Sequence, residues 1–290
     1  ACFSTKNIHK TRKFSKKSFS DYDKKPSFGY YECLQGDGFL PYWTRRMLSL
    51  KEANKGELEI DGVSQAIKKA LGSEGCNIID SIDIRPIKGN VYYISSDGRE
   101  VDTENLPDGY RRLINIVVDI AFRCMLLNKG IHGVNACEKT EGTVLIDEID
   151  LHLHPTLQSL VLKGLQNAFP LLQFIITSHA PMIMTSIPMD DKNKIYKLEY
   201  SQDKGYEAKE IEAYGLDAST IIEAILGVTP RSKEVDERLK ILFSLIDSDE
   251  YLKATDKLKE MRKEFGDNLP ELAKAEAMLN FLTEDNDNNK

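Results

Sequence analysis

The stretch Thr143 Val144 Leu145 Ile146 Asp147 Glu148 decides the fold. An uninterrupted apolar run that ends on two adjacent carboxylates reads as a buried parallel strand delivering charge at its C-terminal end. Downstream, Leu172 Gln173 Phe174 Ile175 Ile176 Thr177 reads as a second buried strand, with Ser178 and His179 at its tip. Helical patterns at about 110–128 and 156–169 precede these two strands. Helices alternating with buried strands predict an α/β sheet with crossover connections. In such sheets ligands collect beyond the C-terminal strand ends.

Three elements carry candidate chemistry. In P-loop NTPases the acid at such a strand end supports a magnesium ion, which makes Asp147 the candidate metal-supporting residue and Glu148 the candidate general base. The bland alternative is a strand that ends in solvated acids. His179, at the neighbouring strand tip, has the position and polarity to bond a γ-phosphate and sense its presence, although a single His after a strand also serves structure alone. Upstream, Leu106 Pro107 Asp108 Gly109 Tyr110 Arg111 Arg112 is a turn running straight into a helix, whose free N–H groups make an anion site. Alone it is an ordinary turn; the order turn-helix, acidic strand, His-tipped strand is far more specific.

Outward from this centre, residues 1–40 show little periodicity and read as irregular surface structure. Helical patterns at about 41–54 and 61–72 follow, the second with Asp61 as a plausible cap. Ser81–Ile87 and Val91–Ser95 flank Lys88 Gly89 Asn90 as an antiparallel hairpin, and 195–212 forms another. From Asp217 the pattern is helical, with segments near 217–226, 231–247, 249–265 and 270–282 and a disordered end over 284–289. The expected organisation is a mixed lobe with a basic segment over 1–100, a core over 101–215 and a helical region over 216–290. In the helix at 231–247, Val235, Leu239, Leu242, Phe243 and Ile246 form a stripe that serves either internal packing or docking of a partner.

Composition narrows the class. With 290 residues and 41% hydrophobic content, the chain can bury one large core or two modest ones. No apolar run approaches the roughly 20 residues that cross a bilayer, the first residues Ala1–Lys6 lack a signal-peptide hydrophobic region, and the cytoplasm is the expected location. Five scattered cysteines without a CxxC pair indicate neither a disulfide framework nor a zinc knuckle. A net charge of -7 argues against a protein that coats nucleic acid with its whole surface. Residues 6–25 are the exception, with eight lysines and arginines, among them Lys13, Lys16 and Lys17, against Asp21 and Asp23. They form either a solvated segment or a phosphate-contacting arm. The chain opens on Ala1 rather than Met and reads as the middle of something longer.

The motifs LPDGYR at 106–111, TVLIDEIDLHLHP at 143–155 and FIITSHAP at 174–181 resemble the signature, Walker B with D-loop, and switch-histidine motifs of ABC-type ATPases of the SMC/RecF class. More closely, they resemble the AAA-type ATPase subunits of Septu anti-phage systems, some of them retron-associated. The match is strong over 100–186, extends to Glu212–Gly215 and Ile225–Arg231, and is loose over the first 100 residues. The resemblance implies an ABC-type ATPase head with a C-terminal helical appendage, using ATP and Mg²⁺. It implies that Asp147 assists the metal, that Glu148 is the catalytic carboxylate and that His179 is the switch histidine. Leu106, Asp108, Gly109, Tyr110 and Arg111 would then cap the ATP of an opposing subunit, and His154 stands where many relatives carry the D-loop Asp. Implied partners are a second copy of the chain, an HNH-type nuclease, and DNA or RNA, including a retron reverse transcriptase with its nucleic acid. Two departures stand out: Pro107 replaces the usual signature Ser, and no GxxxxGK[ST] loop occurs, which places the P-loop upstream of Ala1. Rival readings are a nucleotide-gated scaffold without turnover, which Pro107 favours, and a metal-dependent hydrolase built on Asp150, His152 and His154 as an alternating pair on a strand end.

Overall fold

The computed structural model describes residues 1–5, 25–36 and 38–288, so the basic segment up to Lys24, with Lys13, Lys16 and Lys17, lies outside the described residues. The chain folds into two compact units, 1–218 and 219–290. In the first, Cys2–Phe3 (β1) and a 3₁₀ turn at Pro26–Tyr30 precede helices Leu40–Glu52 (α1) and Glu57–Leu71 (α2). Strands Ile79–Arg85 (β2), Asn90–Ser95 (β3) and Glu100–Asp102 (β4) follow, then helices Asp108–His132 (α3) and Ala136–Lys139 (α4). Strand Gly142–Ile146 (β5), helices Pro155–Gln158 (α5) and Val161–Ala168 (α6), strand Leu172–Ile176 (β6) and helix Pro181–Thr185 (α7) come next, closed by strands Ile195–Ser201 (β7) and Gly205–Ile211 (β8).

The mixed α/β class read from the sequence is the one observed, with β1, β5 and β6 forming a parallel sheet in which β5 is central. Leu145 faces Cys2 on one side and Ile175 on the other. That the first residues pair here corrects the expectation of irregular structure at the start. Two residues are too few to show periodicity, and their strand character comes from β5. A second correction concerns burial. Val144 and Ile146 are buried and Phe174 and Ile176 pack against the same core, whereas Leu145 and Ile175 are 39% and 52% exposed. Side chains alternate across a sheet, and the described residues cover only one of its faces.

The core beneath that face is organised by α3, whose positions from Leu113 to Leu126 are buried almost all round. It contacts α1, α2, α4 and the Pro26–Tyr30 turn. Its buried charges are paired. Asp119 accepts from the Trp43 indole at 2.6 Å and from Arg123 at 2.7 Å, while Arg123 donates to the carbonyls of Gly29 and Tyr31, each at 2.9 Å. The α2 helix starts a turn earlier than expected, at Gly56 with φ +71, which leaves Asp61 inside the helix instead of capping it. The helix expected over 156–169 is two, because the chain turns at Ser159 and Leu160. Both hairpins form, and β4 adds a third strand to the first.

In the second unit a turn at Ala218–Thr220 (α8) leads from the first unit into a π-helical stretch, Ile221–Ile225, and three helices follow: Lys233–Asp247 (α9), Tyr251–Phe265 (α10) and Pro270–Asn288 (α11). Leu239, Leu242 and Ile246 are buried against Ala254, Leu258, Met261, Leu272 and Leu279, with Val235 and Phe243 packed alongside. The stripe on α9 is therefore internal core, not a docking face. Helix α11 runs on to Asn288, where a disordered tail was expected. Among the described residues no helix is long and apolar enough to cross a membrane.

Glu59 on α2 is 1% exposed and meets both Arg46 and Lys129. Burial pulls its pKa up, but its bonds to the two cations outweigh burial and leave the carboxyl below its ordinary value of 4.5. Removing one partner of a buried ion pair typically costs about 3–5 kcal/mol. Glu59→Gln is expected to destabilise the first unit by about 3 kcal/mol at neutral pH, roughly 6–12 °C in thermal unfolding. A depressed folded pKa contributes stability above the unfolded value and loses it as pH falls through the folded one. The gap between wild type and variant should therefore shrink as unfolding is repeated below pH 4.5.

Candidate functional site

The site lies where β5 and β6 end side by side. Beyond Ile146 the amide of Asp147 still donates to the carbonyl of Phe3 at 2.8 Å, so Asp147 is delivered at the strand tip with its side chain exposed. Thr177, at the tip of β6, then joins the two carboxylate residues. Its hydroxyl donates to Asp147 Oδ1 at 2.7 Å and accepts from the amide of Glu148 at 2.8 Å. Its backbone adds Thr177 N to Ile146 O at 3.0 Å and Ile149 N to Thr177 O at 3.2 Å.

Glu148 has φ +47 and His152 φ +63, both in the left-handed region. For residues with a Cβ this conformation costs of order 1–3 kcal/mol each and persists only where surrounding contacts over-determine it. Here the contacts come from α3. Arg112, 7% exposed, donates from Nη2 to the carbonyl of Asp147 at 2.6 Å and to that of Glu148 at 2.9 Å. Burial lowers the Arg112 pKa, against the opposing pull of Glu148, Asp147 and Asp150. Gly109, one helical turn earlier on the same face, packs so closely on the loop that a Cβ there would overlap the carbonyl oxygen of His152.

The remaining candidates fall around this centre. Leu106 is buried and Pro107 is the N-cap of α3, with no side-chain bond to offer the helix end. Asp108 is exposed in the first turn, and Tyr110 packs against the core. Arg111 folds back, donating to the carbonyls of Glu104 at 2.7 Å and Leu106 at 3.2 Å. His179 stands exposed two residues beyond Thr177. His154 is the N-cap of α5, its Nδ1 accepting from the amide of Thr156 at 3.4 Å. The structure thus gathers Asp147, Glu148, Thr177 and Arg112 with the Gly109 turn, and gives His154 a local capping bond.

Asp150–His152 form a turn and not a strand, so His152 and His154 do not project as alternating strand residues. Among the described residues no three His, Cys, Asp or Glu side chains gather to hold a metal ion. The alternating His pair that a metal-dependent hydrolase would use is not formed here. A magnesium ion brought by a nucleotide asks less of the protein, because it keeps several waters and takes one or two carboxylates with the phosphates. Asp147 suits that demand: one oxygen is fixed by a hydroxyl and the side chain is open to solvent.

Two participants escaped the sequence reading. Thr177 is a strand-end hydroxyl whose bonds run to residues about thirty positions away, and nothing local marks it. Arg112 carries a fainter signal, a charge at helical spacing with Ile116 and Asp119 on a buried face.

The family described as "AAA domain, putative AbiEii toxin, Type IV TA system" matches residues 5–185, and the chain belongs to it. Among curated proteins it is similar to the "Retron Vc95 probable ATPase" of Vibrio cholerae, 39% identical over 37% of this chain and 20% of that protein. It is also similar to the "Retron Ec83 probable ATPase" of Escherichia coli, 36% identical over 47% of this chain and 23% of that protein. The Septu protein PtuA of Bacillus thuringiensis is 26% identical over 58% of this chain and 46% of that protein. The chain spans less than half the length of each of these relatives.

Gly109→Ala tests the packing at this site. Helix propensity alone would favour alanine by about 1 kcal/mol. The overlap is with a backbone carbonyl that has no flexible end to yield, so a net loss of about 1–3 kcal/mol is expected in chemical denaturation. A gain in stability would mean that the His152 loop moves aside freely.

Proposed function

We propose that this chain supplies the catalytic strand ends of a cytoplasmic ATPase that dimerises around ATP in an anti-phage defence complex and governs a nuclease partner. The observation that carries the reading is the Asp147–Thr177–Glu148 constellation at the sheet's C-terminal edge, in a chain of the AAA family. Mg²⁺ bound with ATP supplies neutralisation of the charge that develops on the phosphoryl oxygens. Asp147, oriented by Thr177, stands as the Walker B acid that steadies the metal's water shell. Glu148 takes the proton of the attacking water, and His179, exposed at the adjacent tip, reaches for the γ-phosphate. Leu106, Asp108, Gly109, Tyr110 and Arg111 present the end of α3 to the nucleotide held by a second copy, and His154 stands at the D-loop position. Residues 1–290 carry no GxxxxGK[ST] loop, so this reading needs a P-loop supplied from outside them. The Septu and retron ATPases among the relatives support a defence role. The partners in this reading are an HNH-type nuclease and DNA or RNA, together with a retron reverse transcriptase and its nucleic acid.

A second reading has its own observation. Pro107 offers no hydroxyl at the N-cap of α3, where a γ-phosphate contact would be made, and this favours a nucleotide-gated scaffold without turnover.

Glu148→Gln in the complete native polypeptide separates the two. Hydrolysis through Glu148 predicts ATP turnover lowered at least about 100-fold with nucleotide still bound and the dimer locked closed. Turnover absent from the wild type, with ATP bound equally by both proteins, selects the scaffold.

A further inference from the structure

We propose that Arg112 is the positioning residue of this site: it fixes the backbone turn that aims Glu148 and fastens that turn to the first turn of α3. The inference rests on the hydrolytic reading of Glu148.

The two carbonyls that Arg112 holds belong to consecutive residues, and both converge on a single nitrogen, Nη2, at 2.6 and 2.9 Å. Consecutive carbonyls of an extended strand point in opposite directions, so this convergence requires the chain to turn between them. The left-handed backbone at Glu148, φ +47, is that turn. Relaxing Glu148 to the extended conformation would swing its carbonyl away and leave a buried guanidinium short of a partner. Thr177 grips the amide of Glu148 from the other side, so both peptide groups flanking its Cα are held. Between them these bonds set the direction of the Cα–Cβ bond and hence where the carboxylate reaches.

Arg112 bonds to the two carbonyls and not to the Glu148 carboxylate. It acts through the backbone. Its other end belongs to α3, one turn beyond Gly109, whose missing Cβ allows the helix near enough for the side chain to reach. The first turn of α3 and the catalytic carboxylate thereby move as one body. Arg112 Nε is buried without a partner, which is understandable for a group fixed by its two carbonyl bonds.

The test uses Arg112→Gln and the milder Arg112→Lys in the complete native polypeptide. The first readout is amide hydrogen exchange over residues 148–153, which needs no activity. Arg112→Gln should speed exchange there by about 10- to 100-fold, the worth of a charge-assisted bond, while 114–126 stay as protected as in the wild type. The second is steady-state kinetics: kcat should fall by a similar factor with KM for ATP within about threefold, because phosphate binding is untouched. Lysine keeps donors for the carbonyls and should restore much of both. Unchanged exchange over 148–153 in Arg112→Gln overturns the proposal, as does loosened exchange with an unaltered kcat. If the wild type shows no turnover, altered exchange still establishes that Arg112 holds the turn, and the failure falls on the hydrolytic reading alone.

Discussion

The close approach between the first turn of α3 and the loop after β5 is the constraint on which the site depends. Gly109 permits it by bringing no Cβ against the His152 carbonyl, and Arg112 uses it by bonding two carbonyls at once. Without that approach the left-handed backbone at Glu148 would stand against its steric preference with only Thr177 to hold it. The sheet contributes the complementary half. Pairing of β5 with β1 and β6 fixes where the strand ends, and the α3 contact fixes how the chain leaves it.

The same device recurs further along α3. Arg123, buried on the helix, donates to the carbonyls of Gly29 and Tyr31 in an irregular segment, while Asp119 balances its charge and takes the Trp43 indole. Backbone groups outside helices and strands need partners when they are buried, and a guanidinium fork can serve two of them. A single long helix thus pins two irregular stretches on the same element, one beside the site and one distant from it. Glu59 with Arg46 and Lys129 ties α2 to the far end of that helix and to α1. These charges are weak evidence of net stability, since paired burial costs desolvation, but they leave few alternative ways for the elements to pack.

How much of this was legible in the sequence follows from the range of the interactions. The strands at 142–146 and 172–176, the hairpins and the C-terminal helices announce themselves locally, through apolar runs, turn residues and helical spacing. The one-sided burial of β5 and β6 does not, because Leu145 and Ile175 are as apolar as residues covered on both faces. The start of α2 at Gly56 was masked by Asp61, a better cap by residue type that the tertiary fold leaves unused. At the site, the carboxylates and His179 were visible as residue types at strand ends. Thr177 and Arg112 became visible only once strands and helix were in place, since their work is done across about thirty residues of sequence.

The two parts of the site are held by different partners. Asp147 and Glu148 are anchored from behind by strand pairing, by Thr177 and by a buried guanidinium, so their backbone has little freedom. The Leu106–Arg111 turn is braced at its surface, by Arg111 folding onto the carbonyls of Glu104 and Leu106 while Asp108 stays exposed. Asp108 also places a negative charge at the positive end of the α3 dipole, which lowers the pull of that end on an anion. On the dimer reading this is a coherent division. The carboxylate that would meet a water is aimed by backbone bonds from Thr177 on one side and Arg112 on the other. The turn that would meet another subunit's nucleotide keeps its backbone packed through Leu106 and Gly109 and turns Asp108 outward to solvent.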